Sequence, residues 1–337
     1  MNKVIGYLLA SFKEIGMSNS IRTVPKFSIG LVFAALAFMS GDATVFNKAV
    51  AQEAPAKKPQ AWYPRTEKLG PNEMFVVALG TGMPTPITRG QKSTAWYVEL
   101  GNGDIFLFDV GSGSTENLFA LRPEFHRVDK IFASHLHTDH VGDAAALWVG
   151  GWLSGRYTPL HIYGPSGAKP ELGTAAFVEG LKKTYAWDIA GRSGILPDAG
   201  GQLIAHEFDF KQDGGVVYEK NGVKITSFPA VHILDGPVSY RLDWNGLSFV
   251  FGGDSAPNKW FIERSKGADF VIHEMFYTPE GLAKTLGWGL RQSTFVSSYI
   301  HTVSYTHLTL PTKESRCCWG GGGGGGRGGG GGGGGGG

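Results

Sequence analysis

The chain has 337 residues, of which 31 are basic and 29 acidic, so its formal net charge at pH 7 is only +2. This balance offers no charge-based argument for binding to nucleic acid or to an acidic membrane surface. The two cysteines, Cys317 and Cys318, are adjacent in the C-terminal tail, so we expect neither disulfides nor thiolate metal ligands in the folded part.

The N-terminal region has the pattern of an export signal. Basic residues precede an apolar run at residues 27–39, and residues 49–51 offer a small-x-small cleavage site. The run is shorter than the roughly 20 apolar residues that span a membrane. We therefore expect residues 1–51 to be a bacterial export signal, with Met17 as an alternative start, and residues 52–71 to be a linker in a periplasmic or secreted protein. An uncleaved anchor and a buried helix are the alternatives.

The C-terminal end differs in composition from the rest of the chain. From residue 320 onward it is glycine interrupted only by Arg327, and residues 303–312 resemble the translation of a sequencing adapter. We expect that residues 303–337 are not native sequence, and a flexible glycine-rich tail is the alternative. On the first interpretation, residues 72–302 form one domain that is truncated at its C-terminal end.

Apolar periodicity predicts a mixture of strands and helices from residue 73 onward. A glycine-rich turn at residues 101–103 predicts a hairpin between two of the strands. The predicted strands are residues 73–79, 94–100, 105–109, 128–133, 161–163, 203–210, 216–219, 223–228, 238–243, 247–251 and 269–272. The predicted helices are residues 143–152 and 171–185.

A dense group of metal-binding side chains follows the strand at residues 128–133. His135, His137, Asp139 and His140 fall within six residues. Imidazole nitrogens and carboxylate oxygens suit Zn²⁺, and also Fe or Mn. A solvated polar turn is the alternative, but burying four such side chains without partners would be costly. One ion could take His135 and His137 and another Asp139 and His140, which predicts a two-metal hydrolytic site.

Further candidate ligands lie at or just beyond the ends of later predicted strands. His232 follows the strand at 223–228, Asp254 follows the strand at 247–251 through two glycines, and His273 and Glu274 follow the last strand. His301 closes the segment that we take as native. Each of these residues is weak evidence alone, but their order after the histidine-rich loop is a strong combined signal for a metal site.

Other polar residues receive a structural interpretation. Asp109, at a strand end, could orient the histidine-rich loop through hydrogen bonds, although capping a turn is an equal alternative. We expect His161 to lie in the sheet and not to bind metal. Strand alternation places His206 opposite Glu207 and Asp209, and we expect these three side chains at the surface.

With these residues in place, the chain resembles the metallo-β-lactamase superfamily over residues 72–302. The resemblance implies an α+β fold, the αββα four-layer sandwich, with a dinuclear site at one edge. It implies two divalent ions, Zn first and Fe or Mn as alternatives, with a metal-bridging hydroxide as nucleophile. In this mapping the first ion is held by His135, His137 and His232. The second is held by Asp139, His140 and His301, and Asp254 bridges both.

Within the superfamily, the chain is most similar to the branch of tRNase Z, arylsulfatases and phosphodiesterases. The similar segments are Leu-Gly-Thr-Gly at 79–82, Tyr-Arg at 240–241, Gly-Asp-Ser at 253–255 and the pair His273 and Glu274. The resemblance implies that Asp139, His273 and Glu274 are catalytic, the last two by relaying a proton to the leaving oxygen. Residues 150–152 and 257–260 also resemble the guanitoxin-biosynthesis-type subgroup.

Departures from the branch pattern guide the expected substrate. Aspartate at position 254, where zinc β-lactamases usually carry cysteine, argues against a β-lactam. The chain has Asp-Val-Gly-Ser-Gly at 109–113 in place of the tRNase Z segment, and no basic glycine-rich arm follows residues 164–165. We therefore expect hydrolysis of a small phosphodiester, sulfate ester, related ester or lactone, with no nucleic-acid partner and no stable membrane insertion; a homodimer is left open. The alternatives are a tRNase Z-like 3′-processing endoribonuclease and a non-catalytic metal-dependent binding protein.

Overall fold

Two β-sheets form the centre of the molecule. The computed structural model describes residues 3–8, 68–84 and 90–303. The seven-stranded sheet has the order β1-β2-β3-β4-β5-β6-β7 and the five-stranded sheet the order β12-β11-β10-β9-β8. The strands of the first sheet are β1 Lys3–Leu8, β2 Glu73–Gly80, β3 Ala95–Leu100, β4 Ile105–Val110, β5 Lys130–Phe132, β6 Leu160–Pro165 and β7 Leu203–Phe208. Those of the second are β8 Gly215–Lys220, β9 Val223–Pro229, β10 Val238–Trp244, β11 Leu247–Phe251 and β12 Phe270–Ile272.

The directions of the strands change within each sheet. In the first sheet β2, β3 and β4 are antiparallel, whereas β4, β5, β6 and β7 run parallel. In the second sheet β8 to β11 are antiparallel and β12 joins β11 in parallel. The parallel strands need crossover connections, which the helices supply. The helices are α1 Ser114–Leu121, α2 Thr138–Val141, α3 Ala144–Leu153, α4 Thr174–Thr184, α5 Ala186–Arg192, α6 Lys259–Ser265, α7 Pro279–Leu286 and α8 Leu290–Tyr299.

Alternation along the strands explains the four layers. In β2, Phe75 and Val77 pack with the helices on one face, whereas Met74 and Val76 pack between the two sheets. Because β2 is covered on both faces, it reads as a continuous apolar run. Phe228 and Val250 on the outer face of the second sheet pack against Phe261 of α6. The order helix, sheet, sheet, helix confirms the predicted αββα sandwich.

An aromatic cluster fills the space between the sheets. The ring of Phe108 lies 5.5 Å from that of Phe132 in its own sheet and 5.1 Å from that of Phe249 in the facing sheet. Tyr240, on β10, lies 5.8 Å from Phe108 and donates its phenolic hydrogen to the carbonyl of Ala133. The aromatic contacts therefore hold the two sheets together, and the tyrosine ties the second sheet to the start of the histidine-rich loop.

The structure modifies several predicted elements. The strand expected at 128–133 is limited to β5, and the helix expected at 171–185 corresponds to α4, with α5 following outside the predicted range. Gly173, in extended conformation, precedes α4, and the Glu207 carboxylate accepts a hydrogen bond from the Ala175 N–H, so α4 begins only at Thr174. Helices α1, α2, α5, α6, α7 and α8 were not predicted.

At both ends of the described chain, the structure differs from what the sequence predicted. Strand β1 pairs in parallel with β2, although residues 1–51 were expected to be a signal without a role in the fold. At the other end Val303, one residue beyond the predicted domain, is buried and forms an isolated bridge with Phe276. The export signal and the tail boundary remain predictions. Among the helices that the structure describes, none is long and apolar enough to cross a membrane.

We expect Phe108→Ala to lower the free energy of unfolding by about 3–5 kcal/mol, because it leaves a cavity between the sheets. Phe295→Ala is the matched control, because Phe295 is 51% exposed on α8; its effect should stay below about 1 kcal/mol. Denaturant titration measures both. Equal losses of unfolding free energy in the two variants would contradict the role of Phe108 in holding the sheets together.

Candidate metal centre

Segments at one edge of the sandwich bring the predicted site residues together. The histidine-rich loop follows β5, His232 follows β9, Asp254 follows β11, and His301 follows α8. Backbone contacts join the first three segments. The Val238 N–H donates to the carbonyl of Ser134 over 3.0 Å, and the Ala256 N–H donates to the carbonyl of Val231 over 2.7 Å. Gly253 has φ of +60°, and a Cβ there would lie 2.7 Å from that of Ser134. Only glycine permits this close approach, which places Asp254 beside the histidine loop.

Three imidazoles converge on one point. His135 Nε2 lies 2.9 Å from His137 Nδ1, which lies 3.3 Å from His232 Nε2. His232 donates its Nδ1 hydrogen to the carbonyl of Ile300 over 2.8 Å, so its Nε2 carries a lone pair. Ser134 donates its hydroxyl hydrogen to Asp109, so its oxygen accepts from His135 Nδ1, and His135 Nε2 also carries a lone pair. Facing lone pairs of this kind suit a bound cation.

A second group of side chains lies next to these imidazoles. His140 Nε2 is 3.2 Å from Asp254 Oδ1 and 3.4 Å from Asp139 Oδ2. Asp254 Oδ2 is in turn 3.8 Å from His301 Nδ1. Asp254 therefore lies between His140 and His301, which is the arrangement expected of a residue that contacts two ions.

The groupings differ in detail from the sequence mapping. Atoms within 4.8 Å of one another group His135 with His140 and Asp254, and His232 with Asp254 and His301. The mapping had placed His140 and His301 together with Asp139. Which ion each side chain binds therefore stays a prediction, but all seven predicted ligands lie in these connected contacts.

Two buried polar atoms support the fit of a divalent ion. Asp139 Oδ1 and His140 Nε2 are buried and have no hydrogen-bond partner. An unsatisfied buried acceptor costs about 1–3 kcal/mol. Burial opposes protonation of His140, but the carboxylates of Asp254 and Asp109 raise its pKa well above the usual value, so positive charge is favoured at this point. A cation would satisfy both atoms. The nitrogen and oxygen donors fit Zn²⁺, and also Fe or Mn.

The electrostatics hold the donors in suitable protonation states. Burial, reinforced by His140, lowers the pKa of His135 well below its usual value, and burial lowers the pKa of His232 to about 4. Burial opposes ionisation of Asp254, but the neighbouring His140 holds its pKa well below the usual value. At neutral pH these side chains are thus two neutral imidazoles and a carboxylate, the forms that bind metals.

Asp109 lies behind the histidine-rich loop. Its carboxylate accepts hydrogen bonds from the Ser134 N–H at 2.7 Å, the Ser134 hydroxyl at 2.8 Å and His140 Nδ1 at 2.6 Å. It is fully buried, and its φ of +58° is uncommon outside glycine. Asp109 therefore fixes the ring of His140 with Nε2 toward Asp139 and Asp254, and a positioning role is favoured over a turn cap.

Glu274 holds His301 in place. One carboxylate oxygen accepts from the N–H groups of Ser255 and Thr302, at 2.7 and 3.1 Å, and the other lies 2.7 Å from His301 Nδ1. Burial raises the pKa of Glu274 to about 7. His273 packs its ring against Phe261 at 4.1 Å. These contacts give Glu274 a positioning role, and proton transfer by His273 or Glu274 stays a prediction.

Hydroxyl side chains complete the site, and sequence reasoning did not assign them. Ser134 connects Asp109 to His135, as described above. Ser255 accepts the Val231 N–H at 3.0 Å, and Thr302 donates its hydroxyl hydrogen to the carbonyl of Ser255 over 2.6 Å. Each of the three directly adjoins a predicted ligand, and that adjacency is the signal that could have identified them.

His206 does not lie on the surface as expected. It is half-buried, its Nε2 lies 2.8 Å from His161 Nδ1, and its ring stacks on Tyr163 at 4.2 Å. His161 lies in β6 as predicted. Glu207 and Asp209 are exposed, so the predicted alternation of faces along β7 was right. The face that carries His206, however, is partly covered by aromatic side chains such as Tyr163.

Comparison with known proteins identifies the family. The model for the metallo-beta-lactamase superfamily matches residues 88–266, just over half of the chain. The chain therefore belongs to the metallo-β-lactamase superfamily, and its fold and site define a metal-dependent hydrolase, as the sequence predicted.

The similar proteins carry narrower names. A ribonuclease Z from Mycobacterium avium is 31% identical over 204 residues, which are 59% of this chain and 69% of that protein. A ribonuclease Z from Mycolicibacterium gilvum is 29% identical over 211 residues, covering 59% and 67%. Among solved structures, the short form of human tRNase Z matches with a TM-score of 0.49 and 21% identity, covering 70% of this chain and 86% of that one.

We expect Asp254→Ala to reduce the bound metal to about half or less, because both groups that contain Asp254 lose their carboxylate. Asp213→Ala is the matched control, since Asp213 pairs with Arg264 on the surface. Elemental analysis of the purified proteins gives the metal content. Full metal content in the Asp254 variant would exclude it as a ligand.

We expect Asp109→Asn to weaken metal binding about 10–100-fold, because the amide no longer supports His140 as the carboxylate does. Asparagine tolerates the left-handed backbone conformation, so the substitution isolates the charge. Competition with a chelator measures the affinity. Asp104→Asn, in the hairpin turn after β3, is the control and should leave the metal affinity unchanged. Equal losses of metal affinity for the two substitutions would argue against a positioning role for Asp109.

Proposed function

We propose that the protein hydrolyses phosphodiester bonds at a centre of two divalent metal ions. The observation that carries the proposal is the convergence of three imidazoles with the shared carboxylate of Asp254 at one edge of the sandwich. His135, His137 and His232 would hold one ion, and the group around Asp254 the other. Bound ions would lower the pKa of water and offset negative charge on the phosphoryl oxygens.

The chain's own residues prepare this chemistry. Asp109 and Ser134 orient the imidazoles of His135 and His140, and Glu274 orients His301, so the donors are fixed before a substrate binds. Such fixed ligands need little rearrangement during the reaction. His137 is exposed, so the centre opens to solvent on that side. A substrate therefore has access to the ligands while the carboxylates behind them stay buried.

Two classes of phosphodiester are candidate substrates. The similar proteins named ribonuclease Z favour an RNA phosphodiester, which supports the tRNase Z-like alternative more directly than the small ester expected from the charge balance. A specific observation keeps the small diester as second candidate. The segments that deliver the site residues contain no lysine or arginine, which contacts to an RNA backbone normally require.

A substrate panel tests the proposal. The metal-loaded protein should cleave nitrophenyl phosphodiesters and lose this activity on chelation, because the ions activate the water; Zn²⁺ should restore it. Nitrophenyl sulfate, a nitrophenyl acyl ester and precursor tRNA complete the panel. Asp254→Ala should be inactive and Asp213→Ala fully active.

The panel also separates the alternatives. Turnover of precursor tRNA above that of the small diesters would select the ribonuclease. Hydrolysis of the sulfate or acyl ester alone would reject a phosphodiesterase. A metal-loaded protein that turns over none of these substrates would instead be a binding protein.

A further inference from the structure

Exposed apolar side chains adjoin the residues of the metal centre. Ile233 and Leu234, directly after His232, are 48% and 62% exposed. Met275, directly after Glu274, is 58% exposed, and Tyr299, two residues before His301, is 66% exposed. We call these four side chains the apolar rim. Each begins within two residues, or about 8 Å of chain, of a side chain in the site.

Hydrogen bonds hold the loop that carries Ile233 and Leu234. The Ala230 N–H donates to the carbonyl of Pro237 over 3.0 Å and closes the base of the loop. The Ala256 N–H donates to the carbonyl of Val231 over 2.7 Å, which ties the loop to the segment of Asp254. The tip of the loop is therefore held beside the metal centre.

A further hydrogen bond connects the two sides of the rim. His232, on the loop, donates from Nδ1 to the carbonyl of Ile300, the residue that follows Tyr299. Met275 lies next to Phe276, whose ring stacks on His301 at 4.0 Å. The rim residues thus belong to segments that contact one another through His232 and His301, and they form part of the surroundings of one site.

The charge of these segments limits what the rim can bind. The site residues come from segments 109–113, 134–140, 231–237, 253–258, 273–278 and 299–303, which together contain no lysine or arginine. Their charged side chains are the carboxylates of Asp109, Asp139, Asp235, Asp254 and Glu274. Of the nearby lysines, Lys92 packs on Gly113 and pairs with Glu116 at 2.7 Å, and Lys259, directly after segment 253–258, lies over the ring of Trp260. Within the site segments themselves a strongly anionic extension of a substrate would find no cationic side chain, whereas an uncharged apolar group would bury apolar surface that is otherwise in water.

We propose that the apolar rim binds an aryl or other apolar substituent next to the scissile bond, and that the substrates are small phosphodiesters with such a group. The inference rests on the proposed phosphodiesterase activity and names its substrate class. Burial of the substituent against Ile233 and Leu234 would add binding energy without adding charge.

The test compares two diesters with the same leaving group. Phenyl p-nitrophenyl phosphate and methyl p-nitrophenyl phosphate both release nitrophenolate, and the ratio of their kcat/KM values reports the preference for the aryl substituent. Ile233→Ser and Leu234→Ser should each lower kcat/KM for the phenyl ester about fivefold to tenfold, because apolar contact is lost. In both variants, kcat/KM for the methyl ester should stay within about twofold of the wild-type value.

Ile195→Ser is the matched control, because Ile195 is 80% exposed and lies in the turn after α5, outside the site segments. It should leave the ratio unchanged. Thermal melting and metal content of each variant verify that the loop substitutions leave the fold and His232 intact. If metal content falls in the serine variants, Ile233→Val and Leu234→Ala provide smaller truncations, for which the ratio should fall in the same direction.

The outcomes distinguish the inference from the function on which it rests. A wild-type protein that is loaded with metal but hydrolyses neither diester would overturn both. Hydrolysis with an unchanged phenyl-to-methyl ratio in the loop variants would overturn the rim alone. Precursor tRNA as the better substrate, with no aryl preference, would also overturn it and select RNA. A loss confined to the phenyl ester in the loop variants would support it.

Discussion

A buried carboxylate connects the first sheet to the metal-binding loop, and the geometry of the site depends on it. Asp109, the penultimate residue of β4, has a left-handed conformation and accepts three hydrogen bonds, two from Ser134 and one from His140. Burial raises the pKa of Asp109, and the neighbouring His140 opposes this effect. The carboxylate is thus costly to bury alone but is compensated by its partners. This is why the strand end and the histidine loop form a single unit.

The sandwich supplies the rest of the site by bringing the ends of both sheets to one edge. Tyr240 of the second sheet donates to the carbonyl of Ala133 in the first, and Gly253 packs directly on Ser134. These contacts depend on the sheet spacing that the aromatic cluster around Phe108 maintains. A site built on strand ends and fixed by packing is more rigid than one built on loops alone, and rigidity is what metal ligands require.

The chemical character of the site follows from which charges are present. Carboxylates and imidazoles form its base, while the segments that carry them add exposed apolar side chains and contain no lysine or arginine. Burial opposes protonation, but the carboxylates raise the pKa of His140 and of His301, so the centre favours positive charge, which bound ions would supply. In the proposed function, the apolar rim would supply specificity through uncharged contacts beside the candidate metal ligands.

The sequence determined the local features of the protein. The spacing of His135, His137, Asp139 and His140, and the placement of His232 and Asp254 after apolar strands, followed from periodicity and residue chemistry alone. Most strands were predicted correctly because alternation and glycine turns are local signals. Helix α7 was missed although Thr278 caps it and Pro279 begins it, which is a local signal that the apolar pattern obscured.

Only the tertiary structure decided which distant segments meet. Several observed contacts join residues that lie tens of positions apart in the sequence. They are the contact of Glu274 with His301, the position of Asp254 between His140 and His301, and the packing of His206 beside His161. Strand periodicity states which face a side chain occupies but not what covers that face. The sequence therefore predicted the candidate ligands and their order along the chain. Packing of the two sheets determined the distances between them and their hydrogen-bond partners, because contacts between remote segments depend on the three-dimensional arrangement and not on local spacing.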